Sequence, residues 1–257
     1  MEINKNKKLS GYAETYFSTC IEFKPKNIDD CKKIINYARQ NKLTICSKGS
    51  GLSYADMITN ENNIVVDYSL MNKINSWNKN TGEIYVEPGV TFKDLFKLVF
   101  LNNWTLNSCP GSIDISIGGA ISNNVHGKDS YSNGNFGKQI KQISLLLASG
   151  KIIKIDRNYQ EDIFNSVISG MGNLGIIIEA KIQLSKVESP YVLSYEKPTN
   201  NIYETIDLIQ KNKKFYDFSV AWVDCFCKNK KKLGRGFIVF GKWLKETKKI
   251  SKKKLEM

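Results

Sequence analysis

The sequence predicts an α+β fold, on three observations. Hydrophobic residues make up 41% of 257 positions, enough to fill a core in one large or two modest domains. Across residues 20–67 the apolar spacing passes from strand to helix and back to strand, a βαβ order. After it come a strand, a helix, a β-hairpin and a further strand, and a new α+β segment begins near residues 187–190.

The elements follow in chain order. Residues 20–23 read as a strand. Ile28, Cys31, Ile34, Ile35 and Ala38 then recur at helical spacing, with Asn27 as N-cap and Asp29 and Asp30 in the first turn, where carboxylates favour the helix dipole. Residues 43–46 and 64–67 are apolar strand-like runs. Residues 83–87 alternate as a strand that stops at Pro88-Gly89, and Thr91 caps a helix whose apolar face is Phe92, Leu95, Phe96, Val99 and Phe100. Residues 140–147 and 151–155 flank Ala148-Ser149-Gly150 and read as a hairpin, and residues 174–184 as a strand.

Two small-residue loops interrupt this pattern. The first, SKGSGLSYAD at residues 47–56, lies at the carboxyl end of a strand, where open α/β sheets hold ligands. The second, PGSIDISIGGAISNNVHGKD at residues 110–129, offers Gly111, Gly118, Gly119 and Gly127, which let a backbone approach a ligand closely. If residues 118–122 open a helical turn, their N–H groups can form an anion-binding concavity. Two such loops in one chain suggest one long, phosphate-bearing ligand.

The formal charge of +13 is uneven. Residues 228–257 hold 12 Lys and Arg against 2 Glu, and the remainder 26 against 23. The basic end is either a solvated tail or a contact for a membrane surface; no aromatic-interleaved or helix-turn-helix pattern accompanies it, so nucleic acid is not expected. No run of 18 apolar residues and no apolar leader exist, which predicts a cytoplasmic protein without a membrane span. Cys20, Cys31, Cys46, Cys109, Cys225 and Cys227 lack C-x-x-C spacing, so reduced thiols and no metal site are expected. Gly170-Met-Gly-Asn-Leu-Gly175 matches G-x-G-x-x-G, but a helix-like run precedes it and Ile176-Ile177-Ile178 follows, the reverse of a nicotinamide-binding fingerprint.

The loop pair resembles the p-cresol methylhydroxylase-type FAD domain of the vanillyl-alcohol oxidase superfamily. Within it, GGAISNNVHGKD followed by Gly134-Asn135-Phe136-Gly137, then Ala221-Trp222-Val223-Asp224 and Lys232-Leu233-Gly234-Arg235, is similar to the decaprenylphosphoryl-β-D-ribose 2′-oxidase family. The resemblance implies an FAD-binding domain over residues 1–187, in subdomains of about 17–70 and 71–187, and an incomplete α+β substrate (cap) domain with a Lys-rich tail over 188–257. It implies noncovalent FAD, since the first loop has no histidine. In that loop FAD would meet Ser47, Lys48, Gly49, Ser50, Gly51, Leu52, Ser53, Tyr54, Ala55 and Asp56. In the second it would meet Gly111, Ser116, Ile117, Gly118, Gly119, Asn123, Asn124, Val125 and His126, with Ile176 from the following strand. Lys48 and Leu52 stand where relatives often carry arginine, which weakens any bidentate phosphate contact.

The implied reaction is oxidation of a secondary sugar alcohol, with hydride passing to flavin N5. His126, the only histidine, is either the proton-transferring group or a ring packed on the flavin. Tyr54, Gly127 and Lys128 would lie on the substrate side, Tyr54 being alternatively a packed tyrosine with a satisfied hydroxyl. The substrate would be a sugar or polyprenyl-phosphoryl sugar, and the partner an epimerising reductase. Relatives of the family are longer and supply a catalytic lysine and a flavin-contacting tyrosine from a C-terminal segment that KKISKKKLEM does not match. The chain is therefore read as a fragment, a half completed by a second polypeptide, or a flavin-binding remnant. An aldonolactone oxidase is the related alternative, and a noncatalytic flavin-binding subunit the more distant one.

Overall fold

The computed structural model describes residues 1–245. Most of the Lys-rich end, residues 246–257, and with it most of the expected membrane contact, lies outside the described residues.

The first sheet is built from β1 (Glu2–Ser10), β2 (Phe17–Lys24), β3 (Ile45–Lys48) and β4 (Ile64–Asp67), in the order β1-β2-β4-β3. β2 and β3 are both parallel to β4, which lies between them. The βαβ order holds, with a third strand inserted. α1 (Ile28–Gln40) links β2 to β3, and its N-cap is Asn27, whose side chain accepts the Asp30 N–H. Cys31, Ile34, Ile35 and Ala38 bury the predicted face against Phe23, Ile64 and Val66. β3 runs two residues later than expected, so Ser47 and Lys48 belong to the strand and the loop starts at Gly49.

The second sheet follows. β5 (Ile74–Asn78) and β6 (Glu83–Val86) lead to α2 (Phe92–Val99), whose start is a capping box between Thr91 and Asp94. A two-residue strand β7 (Trp104–Thr105) precedes the second loop, and α3 (Ile117–Ser122) and α4 (Ser130–Asn133) lie within it or just beyond. β8 (Ile140–Leu146) and β9 (Ile152–Asp156) form the predicted hairpin, turning at Gly150 with φ +85. α5 (Glu161–Val167) leads to β10 (Ile176–Gln183), which is followed by β11 (Ser185–Lys186), the partner of β7. The strand order is β5-β6-β10-β8-β9.

β10 joins the two halves of the core. Ile176 and Ile178 pack with the α1 cluster, whereas Ile177, Ala180 and Ile182 belong to the larger cluster around Phe92, Ile117 and Phe136. The register shift between Ile177 and Glu179 turns the strand midway, so one strand feeds both cores.

The remaining residues form a three-stranded antiparallel sheet, β12 (Val192–Thr199), β13 (Phe218–Val223) and β14 (Gly236–Trp243), in the order β12-β14-β13 with α6 (Ile202–Asn212) beside it. Its strands are mostly exposed or half-buried; Ile238 and Phe240 on β14 are its buried apolar residues among those described. No described helix is long and apolar enough to cross a membrane.

Candidate functional site

A cavity of about 700 Å³ opens between the first loop, the second loop and the turn before β10. That volume is within the roughly 300–1,000 Å³ common for small-molecule and cofactor sites. No charged side chain is among the described residues that line it, and most of its wall is apolar, with Leu52, Ile58, Ile115, Val125 and Ile177 contributing.

The first loop meets the cavity from β3. Ser47, Gly49, Ser50, Gly51, Leu52, Ser53, Tyr54 and Ala55 all line it; Lys48 and Asp56 do not. Lys48 turns to the opposite side, where its ammonium lies 2.6 Å from an Asp67 oxygen and 3.7 Å from Glu22, both carboxylates nearly fully buried. Lys24 adds a second cation at 3.5 Å from Asp67. Burial alone would raise the Asp67 carboxyl, but hydrogen bonds from Lys48 and the Ser69 N–H outweigh it and hold the group below the usual carboxylate range. Lys48 thus pairs with buried carboxylates beneath the loop instead of lining the cavity. Asp56 accepts from Thr59 through its backbone carbonyl and stays exposed.

A run of unpartnered donors also lies here. Among the described residues, no N–H from Gly49 to Tyr54 donates to another protein group, while Gly51 holds φ +74. Consecutive unpartnered amides on a cavity wall form an anion-binding nest. The second loop differs from its expectation. The N–H groups of Ile117 and Gly118 donate to Val90 and Pro88 carbonyls at 2.8 Å each, and Gly119 donates to the Ser116 hydroxyl at 3.3 Å. The start of α3 is therefore already satisfied, and its small residues serve close approach instead. A Cβ at Gly118 would stand 2.9 Å from Pro88, and one at Gly49 would overlap the Ser116 hydroxyl.

Of the second-loop candidates, Gly111, Ser116, Gly118, Gly119, Asn123 and Val125 line the cavity. Ile117 is fully buried in the larger core instead. Asn124, at φ +43, turns away to accept the Gly137 N–H at 3.0 Å and borders a separate, smaller cavity. His126 is exposed and follows the last lining residue of the loop, with Gly127 and Lys128 also off the wall. The Lys128 carbonyl accepts from Ser219 on β13 at 2.8 Å, so this segment faces the three-stranded sheet. Asp129 anchors it: one buried oxygen accepts the Ser108 N–H at 2.7 Å and the other is buried without a partner. Burial outweighs the N–H donors and pushes the Asp129 carboxyl up.

Ile177, not Ile176, stands on the cavity wall, because alternation along β10 turns Ile176 to the α1 side. Met171, Gly172 and Gly175 of the glycine-rich turn line the cavity too; α5 precedes this turn and β10 follows it, the reverse of a nicotinamide fingerprint. Tyr12, Tyr68 and Pro88 are further wall residues with no sequence signal, each delivered by topology. Tyr68 is buried, its hydroxyl 3.4 Å from that of Ser47, and burial pushes its ionisation far up. The Asp224 carboxylate meets Arg235 at 3.2 Å, which brings the two motifs at residues 221–224 and 232–235 together at one end of the three-stranded sheet.

A long dinucleotide fits this site: unpartnered amides suit its diphosphate, apolar walls suit a planar ring, and glycines stand where a Cβ would collide. Comparison with known proteins agrees. Decaprenylphosphoryl-beta-D-ribose oxidase of Mycolicibacterium smegmatis is 29% identical over 212 residues, 82% of this chain and 46% of the relative. D-arabinono-1,4-lactone oxidase of Eremothecium gossypii is 24% identical over 204 residues, 78% and 36% respectively, and L-gulonolactone oxidase of Mus musculus 20% over 215 residues, 83% and 48%. The chain spans less than half the length of these relatives. The family described as FAD binding domain matches residues 21–156, more than half of the chain and both cavity-lining loops, so the chain belongs to the FAD binding domain family, with FAD as its cofactor.

Proposed function

We propose that the chain is the cofactor-binding part of an FAD-dependent oxidoreductase that oxidises a secondary alcohol of a sugar, polyprenyl-phosphoryl-linked as in the mycobacterial relative's name. The observation that carries this reading is a neutral cavity walled by both loops, which offers unpartnered amides together with apolar side chains. FAD supplies hydride acceptance when bound. The protein supplies the rest. Amides from Gly49 to Tyr54 would hold the FAD diphosphate by hydrogen bonds, with no charged side chain among the described residues on the wall, and Gly49 and Gly118 let the two loops approach each other closely. Ile177 and Val125 are apolar wall residues that would keep water from a bound ring.

In this reading residues 1–187 are the FAD domain, split near residue 70 between the four-stranded and five-stranded sheets, and residues 188–257 begin the substrate domain. His126, Gly127 and Lys128 lie between cavity and three-stranded sheet, a position that suits substrate contact. His126 is the one titratable imidazole available there for proton transfer, either directly or after closure by a further polypeptide. A lactone-oxidising activity is the second reading, favoured by the lactone oxidases among the relatives.

The test is anaerobic addition of a polyprenyl-phosphoryl pentose analogue, and separately of an aldonolactone, to the FAD-loaded chain. Bleaching of the flavin bands by the first is the expected result. Bleaching by the lactone alone would transfer the assignment to the second reading, and bound flavin that neither substrate bleaches would identify a noncatalytic flavin-binding subunit or one half of a split enzyme.

A further inference from the structure

The cofactor family matches from residue 21 onward, yet a segment before it touches the cavity. β1 is mostly exposed and pairs only with β2 among the described strands, so it contributes little to the core. Immediately after it the chain crosses the first loop. The Tyr12 N–H donates to the Ser53 carbonyl at 2.7 Å and the Ala13 N–H to the Tyr54 carbonyl at 3.4 Å. Gly11 sits so close beneath that a Cβ there would overlap the Ala55 carbonyl and stand 2.8 Å from that of Ser53. The Tyr12 ring meets the Tyr54 ring edge to face, centroids 5.8 Å apart at 86°. Both rings border the cavity and both are exposed, at 63% and 74%.

The first loop needs such a support. Between Gly49 and Met57 no side chain is buried, and the loop amides form no protein hydrogen bonds that would hold it, so apolar packing does not define its course. Its carbonyls are what the N-terminal segment grips.

We propose that residues Gly11–Ala13 are a strap that orders the first loop, and that Tyr12 is a positioning residue: by fixing the carbonyls of Ser53 and Tyr54 it aims the free amides of the same loop at the bound diphosphate, while its ring and that of Tyr54 form an aromatic rim at the cavity. The strap acts in the ligand-free chain; its consequence for FAD rests on the proposed cofactor cradle.

Two readouts separate these. In the ligand-free full chain, chymotrypsin cleavage after Leu52 or Tyr54 reports the ordering of the loop, with cleavage after the remote, 95% exposed Phe226 as internal reference. Cleavage of a transiently open segment tracks its open population. Tyr12→Ala should raise the loop rate about 2–10-fold against the Phe226 rate, the range expected for loss of an aromatic pair. Gly11→Val, which adds a side chain where none fits, should raise it about 5–100-fold. Tyr12→Phe keeps ring and backbone and should match wild type. FAD affinity, read by flavin fluorescence, should fall by similar factors in the first two variants and hold in the third. Loop cleavage in Tyr12→Ala and Gly11→Val equal to wild type would overturn the strap, whatever FAD does. Faster cleavage with unchanged FAD affinity would overturn the positioning role of Tyr12 toward the cofactor. Failure of the wild-type chain to bind FAD at all would count against the cofactor cradle and leave the cleavage result to decide the strap.

Discussion

The two loops that wall the cavity are held by opposite means. The second is rooted in the core: Ile117, Ala120 and Ile121 of α3 are buried among the side chains around Phe92 and Phe136, and its first amides are spent on neighbouring carbonyls. The first carries no buried side chain between Gly49 and Met57; polar contacts hold it, with the Lys48 ion pairs below and backbone bonds from Tyr12 and Ala13 above. The start of α3, anchored by apolar packing, has its first amides spent, and only the stretch ahead of it, with Gly111, Ser112, Ile115 and Ser116 on the wall, keeps unpartnered amides, whereas the first loop keeps its amides free from Gly49 to Tyr54 without such packing.

Breaking each anchor should expose the difference. The largest effect belongs to Lys48→Met, which leaves Asp67 and Glu22 buried without Lys48; loss of one partner of a buried pair costs about 3–5 kcal/mol. Urea denaturation should show that loss, and an unchanged midpoint would mean that Lys24 alone suffices. Ile121→Ala should cost about 2–5 kcal/mol, as other large-to-small core substitutions do. Its signature would be lost stability with FAD affinity little changed in the protein that remains folded. Ser116→Ala removes the N-cap of α3 and should cost about 1 kcal/mol.

The smallest effects are pH-dependent and opposite in sign. The Asp67 carboxyl titrates lower in the folded chain than when unfolded, so its contribution is present above the unfolded value near pH ~3.9 and is lost as pH falls through the folded one. The Asp129 carboxyl titrates higher when folded, so its contribution is fully present below that unfolded value and is lost as pH rises through the folded one. Urea midpoints from pH 2 to 7 should therefore show Asp129→Asn gaining on wild type as pH rises above the unfolded value, and the deficit of Asp67→Asn shrinking as pH falls below it. Parallel curves for the two variants would contradict the assignment.

Much of this arrangement was legible in the chain. α1 could be placed with its cap because Asn27, Asp29 and the spacing of Cys31, Ile34, Ile35 and Ala38 all point one way, and both loops stood out by their small residues. β1 and β12 were not legible, since they are exposed on both faces and carry polar residues at positions that alternation would fill with apolar ones. Ile177 was displaced by one residue from its expected neighbour because a run of three isoleucines does not reveal which face each serves. Nor could local pattern show that the amides at the start of α3 are used internally, since Pro88 and Val90 arrive from the preceding turn. Tyr12 and Tyr68 reach the cavity through strand order, which no local signal encodes.

The central claim is that the two loops together cradle FAD, and Gly49, where an added Cβ would overlap the Ser116 hydroxyl, tests it. The measurement is the visible absorption of the purified chain, wild type and Gly49→Val, after mixing with FAD and removing the unbound excess. Flavin bands retained by wild type and lost in Gly49→Val, with both proteins giving the same far-UV circular dichroism, is the predicted result. Absence of flavin bands in wild type, or equal retention by both, would contradict the account.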